Sequence, residues 1–304
     1  MHSAFDPHSP QARAVAHLWW AMFAVGGAVW LAVVVAMLIS ITRSGDPSFG
    51  GRKTGLTLFV AGTGIVLASF LGYDFAVGRD LAKRGAPTLT IGVTGHQWWW
   101  EVEYEDLRPN QRMITANEIH IPTGQLIEFK LRAADVIHSF WAPNLNGKRD
   151  LIPGYASSLW FQADTPGVYR GQCAEFCGLE HAKMAFLVVA QSPTDYLAWR
   201  TASAAPHTPP ADSIAATGLR VFLSSGCPLC HTIAGTEARG TVGPSLSHLA
   251  SRRTLAAGTL ANTRANLMGW IANPQAIKPG VHMPAIPLKP AELNAVVTYL
   301  ETLK

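Results

Sequence analysis

Two clusters of metal-binding side chains stand out in a chain of 304 residues that holds only four cysteines. The first is Cys173-Ala-Glu-Phe-Cys177-Gly-Leu-Glu-His181-Ala-Lys-Met184, which puts two thiols, an imidazole and a thioether within twelve residues. Thiolate and thioether favour soft, copper(I)-like ions, and imidazole suits both copper oxidation states. A second imidazole would complete the set. His138, in Val136-Ile137-His138-Ser139-Phe140, is the best-placed candidate, at the end of an expected strand. Two other uses of these residues stay open. Cys173 and Cys177 could form a disulfide outside the cell, and zinc is a second choice, although methionine is a poor zinc ligand. His120 sits in an alternating strand pattern and reads as packing.

The second cluster is Cys227-Pro-Leu-Cys230-His231, the C-x-x-C-H attachment signature of c-type haem. Two thioether bonds would hold the ring, and the adjacent imidazole would reach the iron as proximal ligand. A zinc ribbon or a thioredoxin-like site shares C-x-x-C, but a ribbon needs a second ligand pair, and the remaining cysteines belong to the first cluster. The sixth iron ligand is expected to be Met283, in the Pro-flanked loop Val281-His-Met-Pro-Ala285. Met268 fits a helical pattern and reads as packing. His282 would give a bis-imidazole iron of low potential, so Met283 is preferred.

These clusters need elements to carry them. Charged residues make up 14% of the chain, against about 25% in soluble proteins, and the deficit is local. No Asp, Glu, Lys or Arg occurs in the 29 residues between Arg13 and Arg43, or in the 20 between Lys53 and Asp74. Each run can cross a hydrocarbon core of about 30 Å as a helix. Trp19, Trp20 and Tyr73 stand at the ends of the runs, as interfacial aromatics do. Membrane helices are expected at about 16–42 and 54–77, with buried core helices as the alternative. The first run is longer than a signal core and lacks a basic leader, which points to a retained anchor. Arg43, Arg52 and Lys53 in the connecting loop place that loop inside and the C-terminal region outside, although Arg79, Lys83 and Arg84 follow the second run. The net charge is +4, and the basic residues are scattered in isolated pairs. Nucleic acid, which needs a clustered basic face, is excluded.

From about residue 86 the pattern turns to short strands. TLTIGV, WWWEVEY, NEIHIP, LIEFKLRA, SLWFQAD, GVYRGQ and AFLVVA are separated by turn signals such as Asn146-Gly147 and Pro166-Gly167. This predicts an all-β sandwich over 86–200. The stretch 201–211, TASAAPHTPPA, reads as a linker that reaches roughly 35 Å when extended and lets the region beyond it swing. Helical patterns follow at 212–225, 261–272 and 290–303.

The strings Gly95-His-Gln-Trp-Trp-Trp100, Val136-Ile-His138-Ser-Phe and Lys148-Arg-Asp150-Leu-Ile-Pro-Gly154, followed by the cysteine cluster, resemble cytochrome c oxidase subunit II over roughly residues 15–200. The region 212–304 resembles a class I cytochrome c, with Gly218 and Phe222 before the motif, Gly243-Pro244 after it, and a closing helix through Tyr299. Together they are similar to the fused subunit II of caa-type oxidases. The resemblance implies a membrane anchor in 1–85 with two transmembrane helices, a cupredoxin-like sandwich with a binuclear CuA centre in 86–200, a linker, and an all-α cytochrome c domain in 212–304. Cys173 and Cys177 would bridge the coppers, with His138, His181, Met184 and the Glu175 backbone carbonyl completing the shells. The Glu175 side chain would face a Mg²⁺ ion shared with the catalytic subunit, and Trp98 would be the electron-entry residue. Haem c would be held by Cys227 and Cys230, with His231 and Met283 on the iron. No catalytic residue falls in this chain, because O₂ reduction belongs to the partner subunit.

The implied partners are the catalytic subunit I, subunit III, the lipid bilayer, and an external donor, either a soluble cytochrome or a quinol–cytochrome c reductase complex. The implied location is a bacterial inner membrane, multi-pass, with both metal domains on the periplasmic side. A carboxylate that many members carry before the second span is missing from Phe49-Gly-Gly-Arg-Lys-Thr-Gly55. Two rival functions fit the same residues: the CuA-bearing subunit of a membrane nitric oxide reductase, and a membrane-anchored copper and haem sensor or store.

Overall fold

The computed structural model describes residues 3–42, 49–82, 85–105, 113–205 and 208–304. They fall into two compact units, 11–85 and a second made of 1–10 with 86–304.

The first unit is a pair of helices, α1 (Pro10–Thr42) and α2 (Phe49–Ala82). Both are long and apolar enough to cross a membrane, and their apolar windows bury nothing. Trp30, Phe59 and Leu71 are examples of large side chains left exposed, as a lipid-facing helix requires. Both helices outrun the expected spans, because polar residues at their ends continue the backbone ladder without interrupting it. Pro10 opens α1, where a missing N–H costs nothing. Of the residues behind the inside-loop expectation, Arg43, Lys83 and Arg84 lie outside the described residues, as does the Arg52 side chain.

The second unit begins with two five-stranded sheets. One runs β3 (Met113–Ala116), β2 (Trp99–Glu105), β1 (Leu89–His96), β5 (Ile127–Ala133), β8 (Ser157–Phe161). The other runs β4 (Glu118–Pro122), β10 (Ala185–Gln191), β9 (Gly167–Cys173), β6 (His138–Trp141), β7 (Arg149–Leu151). Alternate residues of β1 and β5 are buried, which is what one wet and one packed face demand. Ile91, Val93, Trp100, Val102 and Phe129 of the first sheet meet Phe140, Phe186 and Val188 of the second. All seven expected strands form, and β3, β6 and β7, which the sequence pattern misses, complete the sheets. The short β6 is decisive. It leaves β5 after a bend at 134–137 and joins the other sheet beside β9, pairing Phe140 with Cys173. His138 therefore starts a strand of its own rather than ending the preceding one. Residues before α1 also pack here, with His8 donating to the Asn144 carbonyl at 2.8 Å.

Helix α3 (Pro193–Ser203), capped by Ser192, takes up the first three residues of the expected linker. Then come α4 (Ser213–Ser224), α5 (Cys227–Cys230), the hairpin β11 (Thr254–Leu255) with β12 (Leu260–Ala261), α6 (Arg264–Ala272), α7 (Pro274–Ile277) and α8 (Pro290–Leu300). Asp212 caps α4 by accepting from Ala215 N at 2.7 Å, and Thr263 caps α6. The crossing of α4 and α8 needs Gly218, since a Cβ there would run into the Ala295 carbonyl. Phe222, Val296, Val297, Tyr299 and Leu300 form the core around that crossing. This helical region packs into the same compact unit as the sandwich.

Candidate metal centres

The first site sits at one end of the second sheet. The pairing of β6 with β9 brings His138 to Cys173, and the loop from 173 to 184 folds back over both. The Cys173 and Cys177 sulfurs lie 3.7 Å apart, and all four cysteines of the chain are free thiols. A disulfide holds its sulfurs at about 2.05 Å, so the disulfide alternative is set aside. His138 Nδ1 is 3.9 Å from Cys173 Sγ, His181 Nδ1 is 3.6 Å from Cys177 Sγ, and Met184 Sδ is 3.8 Å from Cys177 Sγ. The Glu175 carbonyl is 3.2 Å from Cys173 Sγ. Donors bound to one ion at 2.0–2.3 Å in a tetrahedral arrangement are spaced at roughly 3.3–3.8 Å, so the residues present fit a metal. Their softness, with a thioether among them, fits copper.

Electrostatics favour ligation. The contact with the Cys177 thiol, helped by His138, outweighs burial and pulls Cys173 down to about 3. That same contact pushes Cys177 up, so the pair shares one proton, which a bound cation would displace. Asp135, which the sequence reading missed, accepts from His138 Nε2 at 2.8 Å and from the Gln97 and Val136 amides at 2.6 and 2.7 Å. These bonds hold its carboxyl below the ordinary value against the effect of burial. A carboxylate on the far nitrogen fixes the imidazole's tautomer and aims Nδ1 at the sulfur. The Glu175 side chain is exposed and stands outside the sulfur cluster. His120 is also elsewhere, stacked on Trp199 at 4.0 Å and bonded to Glu118 and Gln191.

The second site is a cavity among α4, α5 and the loops before α8. Cys227, Cys230, His231, Met283 and His282 all line it, whereas Met268 packs against the helical core. His231 Nδ1 contacts the Pro244 carbonyl at 2.8 Å, which leaves Nε2 for an iron. Burial lowers its pKa, keeping the imidazole neutral as ligation requires. Gly243 is needed beside it, because a Cβ would press on the imidazole. Arg252 also faces this cavity, buried, with Nη2 donating to the Ser245 and Ser247 carbonyls. Its Nε has no partner among the described residues. A buried cation with a spare donor on an apolar cavity fits a ring that carries carboxylates, as haem does. The sequence offered no signal for this arginine.

Trp98 belongs to both sites. Its indole Nε1 donates to the Cys177 carbonyl at 2.9 Å, next to Gln97 Nε2 at 2.8 Å, and its ring forms part of the cavity wall with Trp99. The His282 ring lies 5.2 Å from it. Gly178, at φ +112°, gives the indole room: a Cβ there would stand 3.0 Å from the Trp98 ring.

A family model described as cytochrome c oxidase subunit II, periplasmic domain, matches residues 89–191, and one described as cytochrome c matches 215–304. Cytochrome c oxidase subunit 2 of Alkalihalophilus pseudofirmus is 40% identical over 222 residues, which is 72% of this chain and 63% of that protein. The subunit 2 of Bacillus subtilis is 30% identical over 73% of this chain and 64% of its own length. The subunit 2 of Bacillus sp. strain PS3 is 31% identical over 82% of this chain and 71% of its own length. The chain thus spans just under two thirds of the first two relatives and more of the third. The crystal structure of the periplasmic domain of cytochrome oxidase subunit II from Bradyrhizobium japonicum is 31% identical, with a TM-score of 0.37. It covers 39% of this chain and 94% of that one. None of these relatives is named as a nitric oxide reductase subunit or a sensor.

Proposed function

The chain belongs to the cytochrome c oxidase subunit 2 family, and from that premise we propose that it is the electron-entry subunit of a haem-copper oxidase. When bound, haem c and the copper pair would supply one-electron carriers between an external donor and the catalytic subunit, the proposed place of O₂ reduction. Cys173, Cys177, His138, His181, Met184 and the Glu175 carbonyl would hold copper. Cys227 and Cys230 would hold the haem, with His231 and Met283 on its iron. The exposed Glu175 side chain would meet a Mg²⁺ ion at the face shared with subunit I. The division is part of the proposal: anchor 1–85, copper domain 86–200, linker 201–211 and cytochrome domain 212–304. The two apolar helices anchor the chain in a bacterial inner membrane, with both metal domains in the periplasm. Subunit III and a soluble cytochrome or a reductase complex complete its surroundings.

One observation carries this reading. Trp98 forms part of the haem cavity wall and donates from its indole to the carbonyl of a copper-ligating cysteine. Electron transfer weakens steeply with distance, and one packed aromatic side chain touching both sites would shorten the path between them. The cage around Cys173 would hold its donors in place for both copper oxidation states, with the Asp135–His138 bond fixing the imidazole. The test is rapid mixing of the intact oxidase complex with a one-electron donor, following haem and copper bands separately. Haem is expected to reduce first, with copper following within the turnover time. Copper that reduces ahead of haem, or never follows it, defeats the reading.

A further inference from the structure

The cytochrome domain meets the copper domain through few but specific bonds. The tip of the β11–β12 hairpin carries Ala256, Ala257 and Gly258 at φ of 51°, 55° and 77°, a left-handed turn that alanine adopts only under outside constraint. That turn pushes Ala257 into a buried cluster with Trp99 and Ala116 of the copper domain. The Ala257 carbonyl accepts from Ala185 N at 2.9 Å. Nearby, the buried Glu118 carboxylate accepts from Arg253 N at 2.9 Å.

Lys278 lies at the centre of this contact and is 1% exposed. Its ammonium donates to the Trp98 carbonyl at 3.1 Å and to the Lys183 carbonyl at 2.9 Å, both in the copper domain, with the Ala256 carbonyl of its own domain 3.5 Å away. An ammonium has three donors, and here each faces a main-chain carbonyl. The reciprocal bond is present too, since Lys183 Nζ donates to the Ile277 carbonyl at 2.7 Å. A buried amine is costly unless fully bonded, and two of these three acceptors exist for it only when the domains are together. Such groups set register more than they add stability.

We propose that Lys278 is a positioning residue that seats the cytochrome domain on the copper domain, so that Trp98 becomes the shared wall of the two cofactor sites and is closed to any external donor. This rests on the electron route given above. Trp98 is 5% exposed in the seated arrangement, so a donor protein must deliver its electron to the haem.

The test compares Lys278→Met, Lys278→Ala and Lys278→Arg in the intact complex. Hydrogen–deuterium exchange at the Ala185 and Arg253 amides reads the seating, because both are bonded across the interface. The Met and Ala variants are expected to exchange there at least tenfold faster, with haem and copper absorption unchanged, and the Arg variant is expected to stay close to native. Haem-to-copper transfer after photoreduction of the haem should be indifferent to solvent viscosity in the native protein and slow with viscosity in Lys278→Met. Unchanged exchange at the two amides with both spectra intact overturns the proposal. Loss of either spectrum in all three variants also overturns it, because Lys278 would then hold one domain together instead of seating it on another. If native haem never reduces copper, the electron-route reading fails, while the exchange result still decides the seating.

Discussion

The two metal sites are built in opposite ways. The proposed copper ligands come from strands β6 and β9 and a short return loop, backed by Phe140, Phe186 and Trp100 in the sandwich core. Their donor atoms already stand at metal spacing, and Asp135 already holds His138 in place. The proposed haem ligands come from a five-residue motif and a distant loop, around an apolar cavity with a spare arginine donor. One set of donors is brought together by the fold itself. The other lines an apolar cavity that a haem would fill, becoming the centre of the domain's own core.

The largest effect should come from removing that centre. A cavity of about 190 Å³, at roughly 24 cal/mol per Å³, costs about 4.6 kcal/mol if left unfilled, which is close to the lower end of a whole domain's stability. Replacing Cys227 and Cys230 together by Ala, so that no haem attaches, should bring the α4, α6 and α8 amides to fast exchange. Stripping copper with a chelator should leave β6, β9 and β10 nearly as protected as before. Protected α4 and α8 amides in the haem-free variant would break the contrast, since the cavity would then be self-supporting.

A smaller effect separates preorganisation from ligand count. Asp135→Asn leaves all copper ligands in place but weakens the bond that aims His138. Loss of such an outer partner typically lowers metal affinity by about ten- to a hundredfold, or roughly 1.4–2.7 kcal/mol. Competition with a chelator of known affinity measures it. An affinity equal to native would mean that the β6–β9 pairing alone places the imidazole.

Much of this was legible in the residues because it is local. Seven strands, three main helices, both cysteine motifs and the two apolar runs depend on short-range pattern, and the structure contains each of them. What escaped depends on tertiary placement. Asp135 is an ordinary loop carboxylate until the bend at 134–137 turns it onto His138. The strand β6 is too short to show alternation. Arg252 sits in an unremarkable Arg-Arg pair and becomes special only when buried beside the cavity. Lys278 stands beside Pro279-Gly280 with no local sign of burial, and its contacts with the copper domain are what bury it. The linker shows the same limit: small and Pro-rich composition gives reach, but bonds made elsewhere decide whether that reach is used.

The smallest effect concerns pH, and its sign separates the seated arrangement from a swinging one. Burial, aided by Lys183 and opposed by Glu180 and Cys177, lowers Lys278 from 10.5 to about 8 in the seated arrangement. A released domain returns the amine to water and to its ordinary value. Between those values the seated state binds fewer protons than the released one, so raising the pH favours seating. A neutral amine keeps two N–H donors, enough for the Trp98 and Lys183 carbonyls, and sheds the cost of a buried charge. From pH 7.5 to 8.5 the gain should be about 0.7 kcal/mol, or roughly threefold in the seating equilibrium. Exchange at the Ala185 amide, corrected for the intrinsic rise of exchange with pH, should therefore slow about threefold, and Lys278→Met should lose this dependence. Corrected exchange that accelerates over the same interval would mean that the charged ammonium, and not hydrogen bonding to the carbonyls, holds the domains together.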